Sequence, residues 1–162
     1  MKTVPRLLLE QTWERHCQLN EADTRILIQK FMEDQPGLGI YLTVGDEQLG
    51  DEAEQSQLIP LAVAVWEAMQ AHHQKSIPTV DPEQIERADD ANTKMLESLA
   101  EGSEFDWSQT AEGLLTDYNQ QEILGFCLEI LMAGNEEEPD FAPERIGLEW
   151  LWLKTVIDCL DQ

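Results

Sequence analysis

The sequence predicts an all-α protein, a single-domain bundle of about seven or eight helices. Three observations lead to this prediction: apolar residues recur at helical spacing, helix-start signals such as Asn20 and Asp81 precede the periodic segments, and no segment shows a clear strand pattern. At 162 residues, the chain is long enough to bury one sizeable core. Its 42% apolar content and its five tryptophans favour a folded chain over a disordered one.

The first three helices follow from local start and stop signals. Pro5 opens a predicted helix that ends near Gln18. Asn20 is predicted to cap the second helix, because Asp23 three residues later completes a relative of the capping box. The apolar residues of this second helix are Ile26, Leu27, Ile28, Phe31 and Met32. Pro36 ends that helix or starts the next one. The segment PGLGIYLTV is short and contains two glycines, so its pattern fits a strand or a helix, and helix is favoured because a similar segment later in the chain has a clear helix pattern.

Two parts of the chain resemble each other at an offset near 85 residues. When EDQPGLGIYL is aligned with YNQQEILGFCL, Gln35 corresponds to Gln120. The other paired positions are Leu38 with Ile123 and Tyr41 with Phe126. An acidic stretch and an apolar helix with tryptophan follow each segment, so the order predicts a weak pseudo-two-fold repeat. The possible half-repeats are residues 20–74 and 106–162, joined by a polar, outward-lying helix over 81–101.

Two segments, Leu58 to Met69 and Ile146 to Asp161, are apolar on nearly every side. Helices of this kind belong in the centre of a bundle. Trp150 and Trp152 point about 200° apart, at roughly 100° per residue, so one wall cannot bury both. Either two layers enclose this helix or one indole contacts a partner, which makes both tryptophans candidate partner-binding residues.

The formal net charge of −23 is unevenly distributed along the chain. Residues 1–30 hold five cations and four acids, whereas the rest of the chain holds five cations and 29 acids. Segments 31–74 and 95–144 contain no lysine or arginine. Such a surface is predicted to repel nucleic acid and to attract a basic or amphipathic protein partner. The simpler interpretation is that the charge maintains solubility.

Two acidic stretches are candidate partner-binding segments. The segment GDEQLGDEAEQ, residues 45–55, holds five carboxylates and no cation. It does not match a calcium-binding EF-hand, since Asp51 stands where the invariant glycine belongs and Gln57 where the bidentate glutamate belongs. A surface loop with acids near a helix N-terminus is the expected structure. The candidate residues in the two stretches are Asp46, Glu47, Asp51, Glu52, Glu136, Glu137 and Glu138.

No motif for catalysis, metal binding or a cofactor was found, and none of these is predicted. His72 and His73 are adjacent, so on a helix they point about 100° apart and cannot grip one ion together. Nucleophile and phosphate-loop motifs do not occur in the sequence. Glu67 is the one candidate for a perturbed carboxylate, because burial on an apolar helix would raise its pKa. The alternative places Glu67 at the helix rim, paired with Arg15 or Arg25.

The sequence favours a cytoplasmic protein. Its three cysteines are odd in number and include no CxxC pair, which argues against a disulfide framework. The leucine run near the N-terminus is too short for a signal peptide, and no segment reaches the roughly 18 apolar residues that a membrane span needs. No membrane association is therefore expected.

Two classes of function follow from these patterns. The first is a non-enzymatic acidic helical protein that binds a basic or amphipathic protein, or a second copy of itself as a homodimer. A narrower version mimics nucleic acid or neutralises a toxin. The second class is a metal-dependent hydrolase whose carboxylates converge from several helices.

Overall fold

A computed structural model describes residues 2–50, 56–100, 113, 115–133 and 143–161. Within these ranges all regular structure is helical, so the predicted all-α bundle is confirmed, in one compact body. Within the described ranges seven helices have defined bounds, namely α1 Arg6–Cys17, α2 Glu21–Asp34, α3 Pro36–Gln48, α4 Leu58–His73, α5 Pro82–Ala100, α6 Gln121–Ala133 and α7 Pro143–Leu160. The predicted Gly102 cap and most of the helix predicted to start at Asp106 lie outside the described residues.

Local signals in the sequence mark the starts of α2, α3 and α5. The Oδ1 atom of Asn20 accepts a hydrogen bond from the amide of Asp23 at 2.9 Å, which confirms the cap of α2. Pro36 occupies the first turn of α3. At the start of α5, Gln84 Oε1 accepts a bond from the amide of Asp81 at 3.0 Å, as in a capping box.

The two strongly apolar helices, α4 and α7, form the centre of the bundle and pack against each other. Helix α1 covers α4, whereas α5 and α6 cover α7. In α4 the residues from Leu61 to Trp66 are all buried, and in α7 most of the residues are buried, as the apolar character of both helices predicted. Despite this character, none of the helices in the described ranges is both long and apolar enough to cross a membrane.

Two buried glutamines make matching contacts. Gln35 lies directly before α3. Its Oε1 accepts a hydrogen bond from the amide of Val80 at 2.9 Å, and its Nε2 donates to the carbonyl oxygen of Pro78 at 2.9 Å.

Gln120 lies directly before α6. Its Oε1 accepts a hydrogen bond from the amide of Val4 at 3.1 Å, and its Nε2 donates to the carbonyl oxygen of Lys2 at 3.3 Å. Each glutamine therefore holds the extended segment that leads into α5 or α1. We call this arrangement the glutamine clamp.

The neighbouring threonines extend the correspondence between the two clamps. Thr79 Oγ1 donates to the carbonyl oxygen of Asp34 at 3.0 Å, and Thr3 Oγ1 donates to that of Asn119 at 3.0 Å. By this relation α5 corresponds to α1, whereas its role as the helix that joins two half-repeats stays a prediction. A repeat of the complete half-chains stays a prediction, because residues 101–112 lie outside the described ranges.

Glycines allow α3 to approach its neighbours closely. A Cβ atom on Gly45 would lie 3.1 Å from the Trp152 ring, and one on Gly37 would lie 3.0 Å from the Ile85 side chain. These two glycines are eight residues apart, so they lie on one face of α3. That face is fixed against α5 and α7, which leaves the opposite face of α3 toward solvent.

Candidate functional site

Trp150 and Trp152 are both buried inside the chain, with 1% and 8% of their surface exposed. Trp150 Nε1 donates to the carbonyl oxygen of Leu124 in α6 at 3.1 Å, whereas the Trp152 ring packs against Gly45 of α3. Of the two sequence-based alternatives, enclosure by two layers is therefore the one observed. The indoles lie in the core, so the predicted contact of either tryptophan with a partner finds no support in the folded chain.

Glu67 lies at the rim of α4, with 27% of its side chain exposed. Its Oε2 atom is 2.6 Å from His16 Nε2 and 2.9 Å from Arg15 Nη2. The hydrogen bond with His16 lowers the pKa of the Glu67 carboxyl, and the nearby Arg15 charge adds to this, so that together they outweigh desolvation. The predicted rise of this pKa is wrong, and the alternative of a rim ion pair with Arg15 is confirmed.

Replacing Glu67 with glutamine is expected to lower the free energy of unfolding at pH 7 by about 1 kcal/mol. Because the pKa of Glu67 is lowered on folding from its ordinary value of 4.5, this contribution is present above pH 4.5. It is lost as the pH falls through the folded-state pKa. Urea unfolding of both proteins at several pH values would measure the difference.

The exposed Glu14→Gln variant serves as the control for that experiment, with an expected change within about 0.5 kcal/mol. If the difference between the wild-type protein and Glu67→Gln stayed constant down to pH 3, the assigned cause of the pKa shift would be wrong.

The structure describes two of the seven acidic residues that were predicted to bind a partner. Asp46 and Glu47 belong to the last turn of α3, so the start of the acidic stretch is helical and not the loop that the sequence predicted. Glu47 is exposed and Asp46 is half-buried. The remaining candidates, Asp51, Glu52, Glu136, Glu137 and Glu138, lie outside the described residues.

An apolar groove lies between α2 and the outer face of α3. Ile40 and Val44, one helical turn apart, are 68% and 48% exposed. The groove has a volume of about 310 Å³. Its lining residues are Met32, Pro36, Gly39, Ile40, Thr43 and Val44. We call this surface the α2–α3 groove.

Acidic residues lie near the residues of the α2–α3 groove in the sequences of α2 and α3. Glu33 and Asp34, both exposed, follow Met32 at the end of α2. Glu47 follows Val44 by three residues and so lies on the same side of α3. No lysine or arginine occurs between residues 31 and 74. The groove therefore presents exposed apolar side chains in a segment that contains acids and no lysine or arginine.

A polar cluster inside the bundle was missed by sequence reasoning. Lys154 Nζ donates to Asn92 Oδ1 at 2.8 Å and to Asp158 Oδ2 at 2.7 Å. Tyr118 donates to Asp158 Oδ1 at 2.6 Å, and burial raises the pKa of its hydroxyl. The four-residue spacing of Lys154 and Asp158 predicted that both lie on one side of the helix, but it could not show that α5 would cover them. Since these groups bond to one another, the cluster joins α5 to α7.

Other reactive groups in the described ranges show no converging arrangement. Burial raises the pKa of the Cys127 and Cys159 thiols to about 12, so both are inert at neutral pH. No group of three or more His, Cys, Asp or Glu residues in the described part of the chain is placed to hold a metal ion.

Comparisons of the chain with protein-family models, with curated proteins and with solved structures found no match.

Proposed function

We propose that this chain is a non-enzymatic interaction protein that binds a basic amphipathic helix of another protein in the α2–α3 groove. The observation that carries the proposal is the exposure of Ile40 and Val44 in a segment that contains acids and no cation. Large aliphatic side chains that stay exposed side by side mark binding surfaces more often than isolated ones do.

The geometry of the groove favours a helical partner. Ile40 and Val44 are four residues apart, so they form a short apolar ridge beside the lower-lying Met32. An amphipathic helix can lay its apolar face along such a ridge while its cationic face meets the flanking carboxylates. The apolar contacts supply affinity, and the opposite charges speed association and select the partner.

A second copy of the chain fits this groove less well than a basic partner. Each copy carries a net charge of −23, and two α2–α3 grooves facing each other would bring like charges together. If two copies of the protein associated through this groove, a homodimer would replace the basic partner in the proposal. The nucleic-acid mimic and the metal-dependent hydrolase stay predictions, because no feature of the described residues favours them.

The proposal is tested with a synthetic amphipathic helix that carries leucine on one face and lysine on the other. Calorimetry at physiological salt should show binding to the wild-type protein. The double variant Ile40→Ser and Val44→Ser should bind about tenfold more weakly, since it removes two apolar anchors without changing the charge.

A matched control comes from two exposed aliphatic residues elsewhere. Leu7 and Ile26 are 63% and 65% exposed, comparable to Ile40. The double variant Leu7→Ser and Ile26→Ser should leave the affinity within about twofold of the wild-type value. Equal losses in the two double variants would mean that the peptide is held by charge alone, and the groove would not be the site.

A further inference from the structure

A second concave surface lies between α1, α2 and α4. It contains a cavity of about 180 Å³ whose walls are mainly apolar. The apolar walls are formed by Trp13, Leu19, Leu27, Ile28, Pro60 and Val63. An apolar cavity of roughly 150 Å³ holds a molecule the size of benzene, so this one accommodates a ring or a chain of about six carbons.

A neighbouring cavity at the same cleft has charged residues in its lining. This cavity of about 280 Å³ shares His16, Leu19 and Leu27 with the first. Its charged lining residues are Arg15, Lys30, Asp23 and Glu67. We call the two together the α1–α2 cleft. A ligand with its apolar part in the inner cavity would thus have its polar end beside Arg15 and Lys30.

The cations of this cleft belong to the part of the sequence that is nearly neutral. Arg15 and Lys30 belong to residues 1–30, where the numbers of cations and acids are nearly equal. Lys30 also lines a third cavity, together with Lys75. Glu67 already accepts bonds from Arg15 and His16. Within the described ranges Lys30 forms no ion pair, and its Nζ atom lies 5.8 Å from the centre of the Trp66 ring. A cation without an acidic partner is therefore available at the mouth of an apolar cavity.

We propose that the α1–α2 cleft binds a small anionic amphiphile, a carboxylate attached to a ring or chain of about six carbons. The apolar part occupies the inner cavity, and the carboxylate binds Lys30 with Arg15 beside it. Asp23 and Glu67 line the same cavity, and Glu67 is paired with Arg15 and His16. Lys30, which has no ion pair within the described ranges, is therefore the charge that attracts the carboxylate, while solvent and salt screen the acids that lie more than about 10 Å away. The site is independent of the proposed α2–α3 groove, so either proposal can fail without the other.

Phenylacetate is the probe for this site, and 2-phenylethanol, phenethylamine and acetate are its controls. Titration followed by heteronuclear NMR should show saturable shifts for Trp13, Leu27 and Ile28, with a dissociation constant of the order of 1 mM. The neutral alcohol should bind about threefold to tenfold more weakly, and the amine and acetate should cause no saturable shifts in the cleft. Absence of saturable phenylacetate shifts at these residues would overturn the proposal.

Two charge variants test the assignment of the carboxylate end. Lys30→Gln should weaken phenylacetate binding at least about threefold and leave the binding of 2-phenylethanol unchanged. Arg25→Gln is the control, because Arg25 lies on the same helix, is exposed and pairs with Glu21 outside the cleft. Equal affinities of the Lys30→Gln and Arg25→Gln proteins for phenylacetate would show that Lys30 does not hold the anion, which would also overturn the proposal.

Discussion

Replacing Trp150 with alanine is expected to lower the free energy of unfolding by about 4 kcal/mol. The side chain is 1% exposed and lies in the central helix α7, so its removal leaves a cavity that the neighbouring helices cannot fill. It also removes the bond from the indole Nε1 to the carbonyl oxygen of Leu124. Urea unfolding monitored by far-ultraviolet circular dichroism measures the change without relying on tryptophan fluorescence.

Two further variants separate the sources of this loss. Trp150→Phe keeps much of the packing and removes the hydrogen bond, so about 1–3 kcal/mol is expected. Leu148→Ala, on the same helix but 43% exposed, should cost less than about 1 kcal/mol. A Trp150→Ala loss no larger than that of Leu148→Ala would contradict the central position of α7.

Replacing Gln35 with leucine is expected to lower the free energy of unfolding by about 3 kcal/mol. Its side chain is fully buried and bonds to the amide of Val80 and to the carbonyl oxygens of Ile77 and Pro78. Leucine fills the space but leaves these buried backbone groups without partners, which costs about 1–3 kcal/mol for each group. Hydrogen exchange of the Val80 amide should become faster together with the loss measured by urea unfolding.

The corresponding Gln120→Leu variant tests whether the two glutamine clamps act alike. Because Gln120 holds the N-terminal segment through the amide of Val4, its loss should also release that amide to fast exchange. Gln29→Leu is the control, since Gln29 is exposed and its side chain donates to Glu33 one turn further along the same helix. If Gln35→Leu and Gln29→Leu had the same stability, the clamp would contribute nothing to the fold.

Much of the fold was predictable because its determinants are local. The cap formed by Asn20 and Asp23, the proline at the start of α3 and the capping box at Asp81 each act within one helical turn. The central position of α4 followed from the apolar character of all its sides. The correspondence of Gln35 with Gln120 was visible in the sequence, but the segments that they hold lie 45 and 116 residues away. Contacts over such distances depend on the tertiary arrangement.

The candidate site was less predictable because exposure depends on which helix faces meet. Ile26 and Phe31 belong to the same predicted apolar set of α2, yet Ile26 is 65% exposed and Phe31 is fully buried. In α3, Leu38 and Leu42 are fully buried whereas Ile40 and Val44 are exposed, although all four are aliphatic. The pairing of Glu67 with Arg15 was among the sequence-based alternatives, whereas the choice between rim and core required the packing of α1 on α4.

The measurement that tests the central claim most directly is a methyl NMR titration of the wild-type protein with the lysine–leucine amphipathic helix. At about 0.15 M salt, where long-range charge effects are screened, we expect the largest shifts at Met32, Ile40 and Val44. The methyl groups of Leu7 and Ile26 should stay within the experimental error. Shifts spread evenly over the acidic surface, or none at Ile40 and Val44, would contradict an interaction protein with its site in the α2–α3 groove.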